Sequence, residues 1–165
     1  VRSVPMVIWF AATSALLVAI VFRSVGLDYR TVLVGSLLPL VEALLGGPRL
    51  LHSVVGAVAV LAVVMLGTRR RRLLRRRLLG IPIGMMCHLV LDGAFTRTDV
   101  FWWPLAGTDF AGGQIPELEH LGLSLVLEVV GLGVAWFAWN QFGLHDPRAR
   151  RRFREDGRLV LPEAG

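Results

Sequence analysis

The chain has no lysine and a single cysteine, Cys87, among its 165 residues. One cysteine excludes both a disulfide framework within the chain and a thiolate metal cluster. Cys87 is read as a packing residue, and the redox compartment stays open. Also missing are the G-x-S-x-G, H-E-x-x-H and P-loop patterns. Ser53 beside His52 is too slight a basis for a serine nucleophile, so metal-assisted hydrolysis is the enzyme class that remains. No internal repeat or heptad run is present. An A-x-A cleavage site is lacking after the first apolar run, 5–22, which is flanked by Arg2 alone and is expected to be a retained helix rather than a signal peptide.

What is abundant is apolar. Hydrophobic residues make up 55% of the chain and the mean hydropathy is +0.63, more than a soluble domain of this size can hide. Five apolar stretches stand out, at 5–22, 31–45, 50–67, 78–95 and 118–142. Each span through a bilayer needs about 20 residues, so the length allows one bundle. The expected fold is all-α, a membrane bundle of about five transmembrane helices over 1–147, followed by an Arg-rich tail at 148–165. Gly46-Gly47-Pro48 makes a tight turn between the second and third helices. Gly35 and Pro39 interrupt the second helix, and Pro82 and Gly84 the fourth, which bundles tolerate.

All eighteen basic residues are Arg, and the net charge is +6. Most of them lie in two blocks, RRRRLLRRR (69–77) and RARRRFREDGR (148–158). Each abuts an apolar run, where the positive-inside rule expects cytoplasmic residues. Contact with anionic lipid can accompany that role. Nucleic acid is not the expected partner, because aromatic or polar readers do not accompany the charge. Placing both blocks in the cytoplasm puts the N-terminus out and the C-terminus in. Arg23 and Arg30 then fall inside, while Arg2, Arg49 and Arg97 remain outside. The segment TRTDVFWWPLAGTDFAGGQIP (96–116) becomes an outer loop. Its aromatics, Phe101, Trp102, Trp103 and Phe110, suit either an interfacial anchor or a cap over a cavity.

Ionisable groups inside apolar helices are costly and need a partner, a watery cavity or a chemical role. Glu42 falls about 17 Å along its outward-running helix, and His52 opens the next helix near the same surface. His88 and Asp92 follow at about 15 and 21 Å along the fourth helix, four residues apart and therefore on one face. Such a pair can ligate one ion, or the carboxylate can orient the imidazole. The topology, derived from Arg alone, brings Glu42, His52, His88 and Asp92 to the outer side. His52, His88, Asp92 and Glu42 are the candidate metal ligands, and Zn²⁺ or Mn²⁺ suits mixed imidazole and carboxylate donors. Glu42, Asp92 and Glu128 are the candidate catalytic groups. Glu128 can complete the site, take up a proton, or simply satisfy a polar neighbour. Glu117 and Glu119 are expected to cap the fifth helix, with His120 an extra candidate ligand. Asp99 and Asp109 are expected to be solvated.

Three segments resemble the YdjM-like family of inner-membrane metal-dependent hydrolases: GSLLPLVEAL (35–44), LLHSVVG (50–56), and HLVLDGAF with the downstream WWP (88–104). The resemblance implies a bacterial cytoplasmic-membrane helical protein in which Glu42, His52, His88 and Asp92 occupy metal-site positions. Leu40 stands where the family carries a first Asp, Glu42 replaces its second, and the H-R-G preceding the T-H-S segment is absent. The expected activity is hydrolysis of an ester or phosphoester in a lipid or lipid-linked substrate near the outer leaflet. The alternative is a non-catalytic scaffold or small-solute binder with a buried polar network.

Overall fold

The computed structural model describes residues 6–23, 26–44, 50–96, 101–105 and 121–159. Among them the chain is all-helical, with no strand. The helices are α1 (Val7–Phe22), α2 (Tyr29–Leu44), α3 (Val54–Gly67), α4 (Arg72–Leu78), α5 (Gly80–Leu91), α6 (Leu121–Gln141) and α7 (Pro147–Asp156), with short 3₁₀ turns at Leu50–His52 and Ala94–Thr96. Only α6 among the described helices is both long and apolar enough to cross a membrane by itself; α1 and α3 are apolar but shorter.

The expected helix at 78–95 is instead split and shortened. Pro82 has no N–H to offer the Leu78 carbonyl, and the helix breaks at Leu79 between α4 and α5. Two thirds of the first Arg block, 72–77, is thereby helical, as part of α4. At the other end Gly93, at φ +68°, takes the left-handed conformation that terminates α5 at Leu91. The expected helix at 50–67 likewise opens with a 3₁₀ turn, and α3 begins only after Ser53.

The close pairing of α2 with α5 organises the bundle. Gly80 lies against Asp28, Thr31 and Val32, Gly84 against Val32 and Ser36, and Gly35 against the Ile81 backbone. At each of these three glycines an added Cβ would collide with the facing helix. Contact positions advance together along both helices, so α2 and α5 run parallel. Gly80-x-x-x-Gly84 is thus a small-residue contact face of the kind that lets helix backbones approach in membranes. A second parallel pair forms between α1 and α6: Gly131 packs on Trp9, and further along Val18 and Ala19 share a cluster with Ala138 and Phe142. Returning antiparallel to α5, α3 packs Ala57 against Met85 and Leu89.

These directions give the bundle two ends. One gathers Arg30, Arg76, Arg77 and Arg154; the other holds Glu42, His52 and Asp92. The described part of the Arg-rich segment, 148–159, packs on the bundle, and 160–165 lie outside the described residues. Asp146 caps α7, accepting the Arg148 N–H at 2.9 Å, and Pro147 follows at its first turn. Gly157, at φ +69°, ends α7 and lies so close to the Asp28 carboxylate that a side chain there would clash. Its carbonyl accepts the Tyr29 N–H at 2.8 Å, and Leu159 is buried in the cluster with Val18 and Leu27. The chain after α7 is therefore bound to the start of α2.

The bundle buries several polar side chains and exposes many apolar ones. Ser14, Ser36, His52, His88 and Ser124 are buried. Val63, Leu66, Val129 and Trp136 are each at least 67% exposed. Large exposed apolar patches of this kind mark surfaces that meet a membrane or a partner.

Candidate metal centre

His52 is positioned by the turn before α3. The Ser53 hydroxyl donates to the Leu50 carbonyl at 2.7 Å and accepts the Gly56 N–H at 3.0 Å. Ser53 is thus the N-cap of α3, which accounts for the serine beside His52. This holds the His52 ring, 1% exposed, inside the bundle. Glu42, a turn beyond Pro39 on α2, accepts the Leu51 N–H at 2.9 Å and stands 3.3 Å from His52 Nδ1. The carboxylate only accepts there, so Nδ1 is the donor, and Nε2 is the ring nitrogen left to face another partner.

His88 has the same tautomer for a different reason. Its Nδ1 lies 2.7 Å from the Ser36 carbonyl and must donate to it, again leaving Nε2 as the free acceptor. This contact depends on Gly84, one turn earlier, which lets α5 approach Ser36. Phe10 from α1 stacks on the His88 ring at 4.0 Å and 28°, while the His52 ring meets it edge-on at 5.5 Å. Asp92 follows His88 by four residues as the C-cap of α5, where the turn at Gly93 brings the chain off the helix.

Three ligand-type atoms converge in this way. His52 Nε2, His88 Nε2 and Asp92 Oδ1 are buried and have no hydrogen-bond partner among the described residues. One donor atom from each of these side chains lies within 4.8 Å of the other two. Burying a polar atom unpaired costs about 1–3 kcal/mol, so three together call for a common partner. A cation is the species that two imidazole lone pairs and a carboxylate can share. The Trp9 Nε1 and Arg75 Nε atoms, also unpaired, are donors and offer a metal nothing. Together, the two imidazoles and the carboxylate could hold a metal ion.

Two expected roles change. Glu42 is not in the converging group; it stands behind His52 and holds that ring through Nδ1, the arrangement that fixes a ligand histidine's tautomer and raises its basicity. Glu128 is spent elsewhere. Its two carboxylate oxygens accept the Ile8 and Trp9 N–H groups, each at 3.2 Å, and so cap the first turn of α1 from α6. A helix N-terminus favours such a charge, and of its three expected roles the neighbour-satisfying one is what the geometry displays. Cys87 packs in the cluster with Val18 and Ala138. Asp99, Asp109, Glu117, Glu119 and His120 lie outside the described residues. Of the aromatic loop, Phe101 packs against the cluster of Met85, Leu89 and Ala94, and Trp102 is 46% exposed.

Several contributors carried no readable signal in the sequence. Phe10 is one aromatic in an apolar helix, and Ser36 acts through its backbone carbonyl, which every residue has. The chain matches no family model, no curated protein and no solved structure.

Proposed function

We propose that this chain is a five-span protein of the bacterial cytoplasmic membrane that hydrolyses an ester or phosphoester of a lipid or lipid-linked substrate with one divalent ion, Zn²⁺ or Mn²⁺. The observation that carries the reading is the set of three buried, unpartnered donors on His52, His88 and Asp92. A divalent ion held there supplies Lewis-acid chemistry, polarising a substrate oxygen and making water acidic enough to yield hydroxide near neutral pH. The protein's own share is orientation and exclusion. Glu42 and the Ser36 carbonyl hold the two imidazoles by Nδ1 so that both Nε2 atoms face inward. Phe10 closes one face of His88.

The apolar exterior supports a membrane setting, as do the parallel pairs α1 with α6 and α2 with α5, which five alternating spans require. With N-terminus out and C-terminus in, the site falls in the outer half, where a lipid can reach it from the leaflet. The segments at 35–44, 50–56 and 88–104 support placing the chain as a divergent branch of the YdjM-like family.

The test is hydrolysis of phospholipid in mixed micelles by the full chain purified in mild detergent. Activity should stop with chelator, return with Zn²⁺ or Mn²⁺, and be absent from His88→Ala. Asp92→Asn separates two roles: loss of bound metal marks a ligand, whereas retained metal with lost turnover marks a proton carrier. Activity indifferent to both chelator and His88→Ala would remove the hydrolase reading. It would leave the non-catalytic bundle, in which these groups only join α2 to α3 and α5.

A further inference from the structure

At the opposite end of the bundle lies a second polar feature, a cavity of about 300 Å³ lined by Gly26, Asp28, Leu73, Arg76, Arg77, Asp156 and Arg158. Its walls come from both Arg blocks: Arg76 and Arg77 belong to α4, and Arg158 follows the glycine that ends α7. Arginines this close repel one another, so the packing that gathers them costs free energy unless an anion joins them. None of the three has a carboxylate within salt-bridge distance among the described residues. The nearest candidate acid is already committed. Asp28 gives one oxygen to Arg30 Nε at 2.9 Å and the other to Arg30 Nη2 at 2.7 Å. Three arginines and two carboxylates, Asp28 and Asp156, therefore line the cavity, and Asp28 is shared with Arg30, so positive charge is in excess there.

We propose that this cavity binds a phosphate oxyanion, supplied by the headgroup of an anionic phospholipid in the leaflet at the basic end. Guanidinium groups match phosphate by paired, charge-assisted hydrogen bonds, and arginine does this better than an ammonium. The choice of a lipid as source rests on Leu73, which lines the same cavity and is 78% exposed. A soluble anion gains nothing from that side chain, whereas a phospholipid brings acyl chain to cover it. Gly26 sets the approach. The Arg76 guanidinium lies directly over it, where a methyl group would displace the end of that flexible side chain without meeting backbone.

The experiment uses the full chain in a neutral detergent and reads binding by thermal shift. The probes are dihexanoyl phosphatidylglycerol, dihexanoyl phosphatidylcholine and inorganic phosphate. Phosphatidylglycerol should stabilise the protein while phosphatidylcholine does not. Arg76→Gln with Arg77→Gln should weaken that binding about thirtyfold, Gly26→Ala should weaken it less, and Arg69→Gln with Arg70→Gln should leave it unchanged. Inorganic phosphate competing at the same site supports the phosphate chemistry; if it binds as tightly as phosphatidylglycerol, the lipid source is overturned. Equal losses from the Arg69/Arg70 and Arg76/Arg77 pairs would reduce the effect to general charge and overturn the site. So would equal stabilisation by phosphatidylcholine.

Discussion

At the basic end, Asp28 spends both carboxylate oxygens on Arg30, and the Arg30 side chain goes on to donate to the Arg154 carbonyl at 2.6 Å. The Thr31 hydroxyl lies within 2.7 Å of the Asp28 carbonyl and 2.6 Å of the Arg77 carbonyl, and so links α2 to α4. At the other end, His52, His88 and Asp92 each keep one buried polar atom without a hydrogen-bond partner among the described residues. Both ends bear the cost of burying polar groups. In the Asp28 network that cost is offset within the chain, and the polar groups there hold elements together. In the histidine site it is not, so those residues are better explained by something they hold. Partner accounting, more than residue type, separates the two.

The helix pair that both ends share is the most sensitive point of the bundle. Gly84→Val forces a side chain into the Val32 carbonyl and the Ser36 backbone. It should cost about 3 kcal/mol in thermal unfolding and also weaken metal binding, because it moves His88 from Ser36. Unfolding at the wild-type temperature would mean that α2 and α5 do not approach as described. Next in size, Asp28→Ala should cost about 2 kcal/mol with metal affinity unchanged. A loss of metal in that variant would show the two ends to be coupled.

That stability also carries a pH signature. Burial would raise the Asp28 pKa, but the hydrogen bonds and charge of Arg30 outweigh it and hold the carboxyl below its ordinary 3.8. A carboxylate with a depressed folded pKa stabilises fully above the unfolded value and loses that contribution as pH falls through the folded one. The gap in unfolding temperature between wild type and Asp28→Asn should therefore be constant near neutrality and close only below pH 3.8. A gap that closes at higher pH would contradict the Arg30 pairing.

Glu42→Gln turns to the site itself. It should lower metal affinity by about 10- to 100-fold while the metal-free protein unfolds as wild type does, since the amide can still accept from His52. A metal-free form as unstable as Asp28→Ala would instead make Glu42 a structural group. Ser53→Ala is the smallest change, about 1 kcal/mol from the lost cap. Because the cap orients the turn that carries His52, metal affinity should fall modestly with it.

Much of this was readable from residue types alone. Apolar runs located α1, α2, α3, α5 and α6 to within a few residues at most ends, though not the Arg-rich α4 and α7, and the Arg blocks alone brought Glu42, His52, His88 and Asp92 to one side. What escaped depended on partners. Glu42 and Glu128 look alike as acids in apolar helices, yet one orients a histidine and the other caps α1. Only the neighbouring helix decides which. Gly35 and Gly84 read as interruptions because a glycine weakens a helix taken alone; their use as contact points exists only once α2 and α5 lie against each other. The docking of the chain after α7 was hidden for the same reason, since its anchors are the Gly157 carbonyl and a backbone N–H.

The most direct test is the metal content of the full chain, purified without histidine tag or chelator and measured by elemental analysis beside His52→Ala, His88→Ala and Asp92→Ala. The account predicts about one equivalent of a divalent transition metal per chain, lost in all three variants although each still folds. Wild-type protein that is metal-free and takes up neither Zn²⁺ nor Mn²⁺ on reconstitution would contradict it.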